Sequence, residues 1–286
     1  MKNADSLKAR IKNLAKEKRV SSRILLQNYM FERFLERISH SPHRDHFVIK
    51  GGVLVAAMVG ISSRSTMDID VAMRSYPLDE EHVRTAVDAI CSVDLDDNVR
   101  FTLEGIQPIR PDDEYGGFRI TLRAFFDTIR VPITLDVTSG DVITPGAVRY
   151  TLRSIFSENG VIQVWAYNIE TILAEKTETI LRRGVFNSRM RDFYDVYVLT
   201  KTQSYDARIF REALRRTAEH RGTIEQIKDT SAILDSIDNS EELAKYWRNY
   251  QREYDYARDI SFSEIFSALQ ELLQPLSSAF EELELE

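Results

Sequence analysis

Residues 67–73, MDIDVAM, set Met67, Ile69, Val71 and Met73 on one side of a period of two and Asp68 and Asp70 on the other. That period belongs to a strand with one buried face, so a chain built around it needs a sheet with an apolar side and a polar side. The two carboxylates lie about 7 Å apart along such a strand and can converge on one point. Like charges so placed repel, and a hard divalent cation relieves the repulsion because it prefers carboxylate oxygens. For an isolated Asp-x-Asp, the plainer alternative is a solvated strand face.

A second segment adds weight. In IRVPITLDV (129–137), Val131, Ile133, Leu135 and Val137 alternate inward and leave Thr134 and Asp136 on the opposite face. Asp136 is therefore a third carboxylate that a neighbouring strand can bring beside Asp68 and Asp70. Three carboxylates on the polar face of a sheet are what a two-metal phosphoryl-transfer centre needs. VRFTLEGI (99–106) and FRITLRAFF (118–126) are further strand candidates, Asp127-Thr128 is a hairpin turn, and Pro132 implies an edge position or a bulge. Asp141 reads as a loop residue.

HFVI (46–49) is a short strand, Lys50-Gly51-Gly52 the turn after it, and VLVAAMVG a short apolar helix. Glycines let backbone amides approach a phosphate, and the helix N-terminus adds its dipole. The alternative is a plain turn. Arg64, Ser65 and Thr66 directly precede the acidic strand and offer phosphate contacts, Arg64 through a bidentate fork.

Farther on, IETILAEKTETILRR is a helix capped by Asn168 and ended by Gly184. Its apolar stripe of Ile169, Ile172, Leu173 and Ile180 includes Lys176. An ammonium there is costly unless a carboxylate or a triphosphate uses it, or unless the side chain snorkels to the surface. On this pattern alone, Lys176→Met should cost little in packing. Arg182, Arg183, Arg189 and Arg191 cluster around Gly184, with Asp192 and Asp195 following on one face of the next helix. Either a nucleotide contact or simple Arg–Asp pairing accounts for them. His40, His43 and His46 match no metal-binding spacing.

The remaining pattern is helical at both ends. Leu7, Ile11 and Leu14 mark a first helix, and Ser21 or Ser22 caps a second that carries Ile24, Leu25, Met30, Phe31, Leu35 and Ile38. DEEHVRTAVDAICSV (79–93) is another, and four more fall near 206–220, 222–236, 239–257 and 261–282, before an acidic tail at 281–286 expected to fray. Hydrophobic residues are 43% and the net charge is −7, so the chain can bury a core but carries no global basic footprint for nucleic acid. No apolar run approaches the roughly 18 residues of a membrane span. The basic N-terminus lacks the apolar core of a secretory signal. The single cysteine, Cys91, cannot form an internal disulfide. These features together point to a cytoplasmic protein.

The ordered set Lys50-Gly51-Gly52, Arg64-x-Thr66-x-Asp68-Ile69-Asp70, Asp136, Glu170 to Lys176 and Arg191-Asp192-Phe193-Tyr194-Asp195 resembles the AbiEii family of nucleotidyltransferase toxins. The resemblance runs over about residues 10–200. It implies an α+β fold, with a polymerase-beta-like nucleotidyltransferase mixed sheet and helices, plus a helical C-terminal domain. The corresponding divisions are N-terminal helices over 1–45, a nucleotidyltransferase core over 46–163 and a helical domain over 164–286.

It also implies a toxin that uses Mg2+ and a nucleoside triphosphate to add nucleotides to RNA, at the acceptor end of tRNA. An antitoxin neutralises such a toxin without a stable complex. Asp68, Asp70 and Asp136 become metal ligands and catalytic groups, with Lys176 and Asp192 also catalytic. Lys50, Gly51, Gly52, Arg64, Ser65, Thr66 and Asp195 become nucleotide contacts. Glycine–glycine replaces the glycine–serine usual among polymerase-beta relatives, which removes one hydroxyl from that contact. Two rival readings are transfer to a protein hydroxyl (or kinase activity) and a catalytically silent nucleotide-binding module.

Overall fold

The computed structural model describes residues 3–109, 116–156 and 160–274. They form two compact units, one of residues 1–141 and 147–167, the other of 142–146 and 168–286.

The first unit holds one seven-stranded mixed sheet. Helices α1 (Ala4–Lys18) and α2 (Ser22–His40) precede strand β1 (Phe47–Lys50), helix α3 (Gly51–Val59) and strand β2 (Ile69–Met73). Helix α4 (Glu80–Cys91) leads to β3 (Val99–Ile109), β4 (Gly117–Phe126), β5 (Ile129–Ser139), β6 (Val148–Arg153) and β7 (Val161–Ala166). The strand order is β3-β4-β5-β2-β1-β7-β6. β2 pairs in parallel with β5, and β1 with β7; the other neighbours are antiparallel.

Alternation builds the core as the sequence requires. Ile133, Leu135 and Val137 are fully buried, beside Ile120 and Leu122 of β4 and Ile69 and Val71 of β2. Burying each such side chain contributes about 1.5–3 kcal/mol. Helix α2 packs on this side, with Ser21 capping it by accepting from the Ile24 N–H at 3.2 Å. Pro132 sits in an unshifted ladder with β4. On its other side β5 meets β2 only from Leu135 onward, so Pro132 occupies a local edge, and its carbonyl accepts from Gln27 Nε2 at 2.8 Å.

Three expectations change. The acidic strand begins at Ile69, so Met67 lies outside the ladder and is 44% exposed instead of facing the core. Beyond the strands expected after the 79–93 helix, the sheet gains β6 and β7. Their signal is modest, namely alternation in VRYTLR and VIQVWA, where Leu152, Ile162, Val164 and Ala166 are the buried positions. The helix expected near 222–236 divides into two.

The second unit is helical: α5 (Ile169–Arg183), α6 (Met190–Thr202), α7 (Ala207–His220), α8 (Ile224–Ile227), α9 (Thr230–Asp238), α10 (Glu241–Glu253) and α11 (Phe262–Leu273). Asp229 separates α8 from α9 because its carboxylate accepts from the Ala232 N–H at 3.0 Å and starts a new helix. Asn168 caps α5, and its amide ties Thr144 to the unit at 2.6 Å. The expected continuation of the last helix past 274 and the acidic tail at 281–286 lie outside the described residues. Among the described residues no helix is long and apolar enough to cross a membrane.

Candidate active site

Sheet register assembles a row of charges in the first unit. Lys50 on β1 pairs with Asp70 on β2, Asp70 with Asp136 on β5, and Asp136 with Arg119 on β4. Cross-strand partners share a face, so four adjacent strands present cation, anion, anion and cation in line.

Asp70 is at the centre. Its Oδ2 accepts from the Gly52 N–H at 3.3 Å, at the positive end of α3. Burial pushes the Asp70 carboxyl up to about 6, Asp68 and Asp136 add to the rise, and Lys50 and the Gly52 amide oppose it. The glycine pair makes this approach possible. Gly51 has φ of +63°, and a Cβ on it would stand 2.0 Å from Asp70 Oδ2. A Cβ on Gly52 would stand 2.6 Å from Thr66 Oγ1, the hydroxyl that donates to Asp68 Oδ1 at 2.7 Å. The turn expected to admit a phosphate thus admits the two acidic residues' own supports.

The outer members of the row are paired. Lys50 Nζ donates to Asp141 Oδ2 at 2.6 Å and to Thr138 Oγ1 at 2.8 Å. Burial works to raise the Asp141 carboxyl, but Lys50, Thr138 and Tyr167 outweigh it and hold it below the usual carboxylate range. Arg119 grips Asp136 with two parallel bonds, from Nε at 2.8 Å and Nη2 at 2.7 Å, while its own side chain is 51% exposed. Among the described residues no three acidic, histidine or cysteine side chains are gathered so as to hold a metal ion. Arg64 is buried, its guanidinium donating to the Ser65 carbonyl, and Ser65 and Thr66 are buried too. In this structure these three pack behind the glycine turn and present no open phosphate contact.

In the second unit, Lys176 Nζ lies 2.6 Å from Asp195 Oδ2 and 3.0 Å from Asp192 Oδ1. All three side chains are largely withdrawn from water. Asp192 also accepts from Arg189 Nε at 2.7 Å. Burial raises the Asp192 carboxyl, yet Lys176 and Arg189 together hold it below its ordinary value. Helical spacing on α6 presents both aspartates to one ammonium, so the lysine on the apolar stripe of α5 is a buried ion-pair residue and does not snorkel. Of the four arginines near Gly184, Arg182 pairs with Glu178 and Arg189 with Asp192, and Arg191 donates to the Tyr254 hydroxyl.

Arg119 is a site residue that the sequence leaves unremarked, and Asp141, expected as a loop residue, does lie in a loop but pairs with Lys50. The Asp127-Thr128 hairpin carries a signal for Arg119. A two-residue turn fixes every cross-strand pair, and seven steps back from Phe126 meets seven steps forward from Ile129, which places Arg119 opposite Asp136. No local signal joins Asp141 to Lys50.

An α+β unit with this acidic row beside a strand–Gly-Gly–helix turn, followed by a helical unit, defines a nucleotidyltransferase. Two solved structures share the fold. The chain overlays on MenT4, a nucleotidyltransferase toxin of Mycobacterium tuberculosis, with a TM-score of 0.55 at 15% identity, covering 96% of this chain and 98% of that one. A crystal structure from H. pylori, provisionally designated a nucleotidyltransferase, overlays with a TM-score of 0.50 at 15% identity, covering 93% and 100%. No curated protein matches the sequence. Residues 33–274 match the model of the nucleotidyl transferase AbiEii toxin family of type IV toxin–antitoxin systems, and the chain belongs to that family. It is a toxin nucleotidyltransferase, and membership implies a nucleoside triphosphate substrate and an antitoxin partner.

Proposed function

We propose that this toxin adds nucleotides from a nucleoside triphosphate to RNA, at the acceptor end of tRNA, in a Mg2+-dependent reaction in the cytoplasm, and that its antitoxin neutralises it without a stable complex. The observation that carries the reading is the register pair Asp70–Asp136, with Asp68 two residues before Asp70 and just outside the strand. Asp70 is short of positive charge, since burial and two neighbouring carboxylates raise its acid form. Asp68 and Asp70 fit a hard cation, and Asp136 completes the set when the half-exposed Arg119 turns away from it. Mg2+ would supply charge neutralisation on the transferring phosphate.

The chain's own residues do the rest. The acceptor hydroxyl oxygen bonds to the α-phosphorus, its proton passes to Asp136, and the bond to the β-phosphate oxygen breaks to release pyrophosphate. Lys50 and the glycine turn flank the acidic pair on the side of β1, with Arg64, Ser65 and Thr66 supporting the turn from behind. Positioning and electrostatics account for the rate.

The test is incubation with each α-labelled triphosphate, Mg2+ and total cellular RNA. A labelled RNA band that disappears with chelator is expected. Label on protein, or label transferred only from the γ-position, overturns the RNA reading in favour of protein modification or a kinase.

A further inference from the structure

The helical unit contains a cleft of about 450 Å3 that the acidic row does not explain. Arg189 and Arg191 line one side, and Tyr246, Asn249, Tyr250 and Tyr254 the other, with Glu253 as the single carboxylate. Its aromatic wall is a cluster of rings in mutual contact. The Tyr254 ring lies 4.6 Å from that of Tyr250 and stacks on Tyr256 at 5.3 Å, and Tyr250 in turn stacks on buried Trp247 at 5.3 Å. Arg191 anchors the edge, donating to the Tyr254 hydroxyl at 2.7 Å with its guanidinium 5.4 Å above the ring.

Phe186 stands two residues before Ser188, where the cleft lining begins, and is 86% exposed. It ends a 3-10 turn entered through Gly184, whose φ of +48° breaks α5 and throws the ring outward. An exposed phenylalanine alone marks nothing, but this ring stands next to the cleft and is open to a flat partner. Arg183, exposed beside it, has no ion-pair partner among the described residues. In a chain of net charge −7, the exposed Phe186 and the half-buried Tyr246 and Tyr254, with Arg183 and Arg191 beside them, form a local exception. Unpaired nucleobases have the complementary chemistry: flat π faces for the rings and phosphates for the guanidinium groups.

We infer that this cleft and Phe186 hold an unpaired end of RNA, with bases stacked on Phe186 and Tyr254 and backbone phosphates on Arg183 and Arg191. The inference deepens the RNA-acceptor reading and rests on it. A duplex keeps its bases stacked on one another and fits the rings poorly, so the site selects single strands.

The experiment measures anisotropy of a short fluorescent single-stranded RNA and of its duplex on the full chain without nucleotide. Wild type is expected to prefer the single strand. Phe186→Ala and Tyr254→Leu should each weaken single-strand binding about tenfold and leave duplex binding unchanged. Arg191→Gln should reduce the salt slope by about 0.7, the value for one single-strand phosphate contact. If Tyr254→Leu melts early, Phe186→Ala, an exposed position, decides alone. Equal binding of single strand and duplex, or undiminished binding by Phe186→Ala, overturns the proposal. So does a Phe186→Ala chain that binds RNA normally but escapes its antitoxin, since the surface would then dock protein. Wild-type labelling of RNA together with unaltered binding by the ring variants removes this inference alone. Absence of any labelled RNA removes the acceptor reading instead.

Discussion

Gly51 and Asp70 occupy space that only one side chain can fill: a Cβ on Gly51 would fall 2.0 Å from the Asp70 carboxylate oxygen. The backbone at Gly51 is also in the left-handed region, with φ of +63°. Gly51→Ala therefore meets two costs, about 1–2 kcal/mol for the conformation and a clash that displaces Asp70. Melting temperature should fall and nucleotide transfer should be lost. Gly51→Ala combined with Asp70→Ala removes the overlap with the carboxylate but leaves the two Cβ positions 2.7 Å apart, so it should recover only part of the stability and none of the activity. A Gly51→Ala chain with wild-type melting and turnover would refute the geometry.

Asp68→Asn and Asp70→Asn separate chemistry from folding. Neither side chain contributes to the apolar face, and Asp70 already resists ionisation, so neither exchange should lower stability appreciably. Transfer should drop about 100-fold or more, because a lost metal ligand removes several kcal/mol of transition-state stabilisation. Near-normal turnover by both variants at saturating Mg2+ would remove these residues from the centre.

Arg119 competes with a cation for Asp136. Replacing it with glutamine leaves the sheet untouched and frees the carboxylate. The Mg2+ concentration for half-maximal transfer should fall about two- to fivefold, in keeping with the modest strength of exposed ion pairs. A rise in that concentration, or a rise in the triphosphate KM at unchanged Mg2+ demand, would make Arg119 a substrate contact instead.

Lys176→Met is no longer a mild exchange. The ammonium is the shared partner of Asp192 and Asp195, whose side chains are 6% and 0% exposed. Removing it strands buried carboxylates and should cost about 3–5 kcal/mol. Lys176→Met with Asp195→Leu should regain part of this, and only that double variant is suited to an activity measurement. Unchanged melting of the single variant would show that the ion pair does not form in solution.

Asp97 gives the pH dependence. It accepts two bonds from the buried Arg37 at 2.9 and 2.7 Å and one from the Val99 N–H at 2.9 Å. Burial raises its acid form, but these bonds prevail and hold the carboxyl below its usual range. A depressed folded value means that the stabilisation is complete above the unfolded value, near pH 4, and is lost as pH falls through the folded one. Asp97→Asn should cost about 3 kcal/mol near neutral pH, with the penalty shrinking toward pH 3. Denaturant midpoints for both chains across that range check it, and a penalty independent of pH would contradict the ion pair.

What the sequence by itself determined is local and periodic. Alternation in 129–137 assigned Ile133 and Leu135 to the core and Asp136 to the opposite face, and Asn168 and the Ser21-Ser22 pair marked where helices begin, with the structure choosing Ser21 as the cap. Lys176 stood out because a charge on an apolar stripe needs a partner. The tertiary structure alone decided which partner, because Asp192 and Asp195 reach Lys176 only when α5 and α6 pack together. It also decided that Asp70 lies between Asp136 and Lys50, since strand order is a contact between segments far apart in the chain and leaves no periodic trace in either. Arg64 shows the same limit: its charge suggested a phosphate, while burial behind Gly52 set its role in packing. Side-chain period follows from backbone geometry within a few residues, whereas partnership follows from which surfaces the whole chain can bury at once.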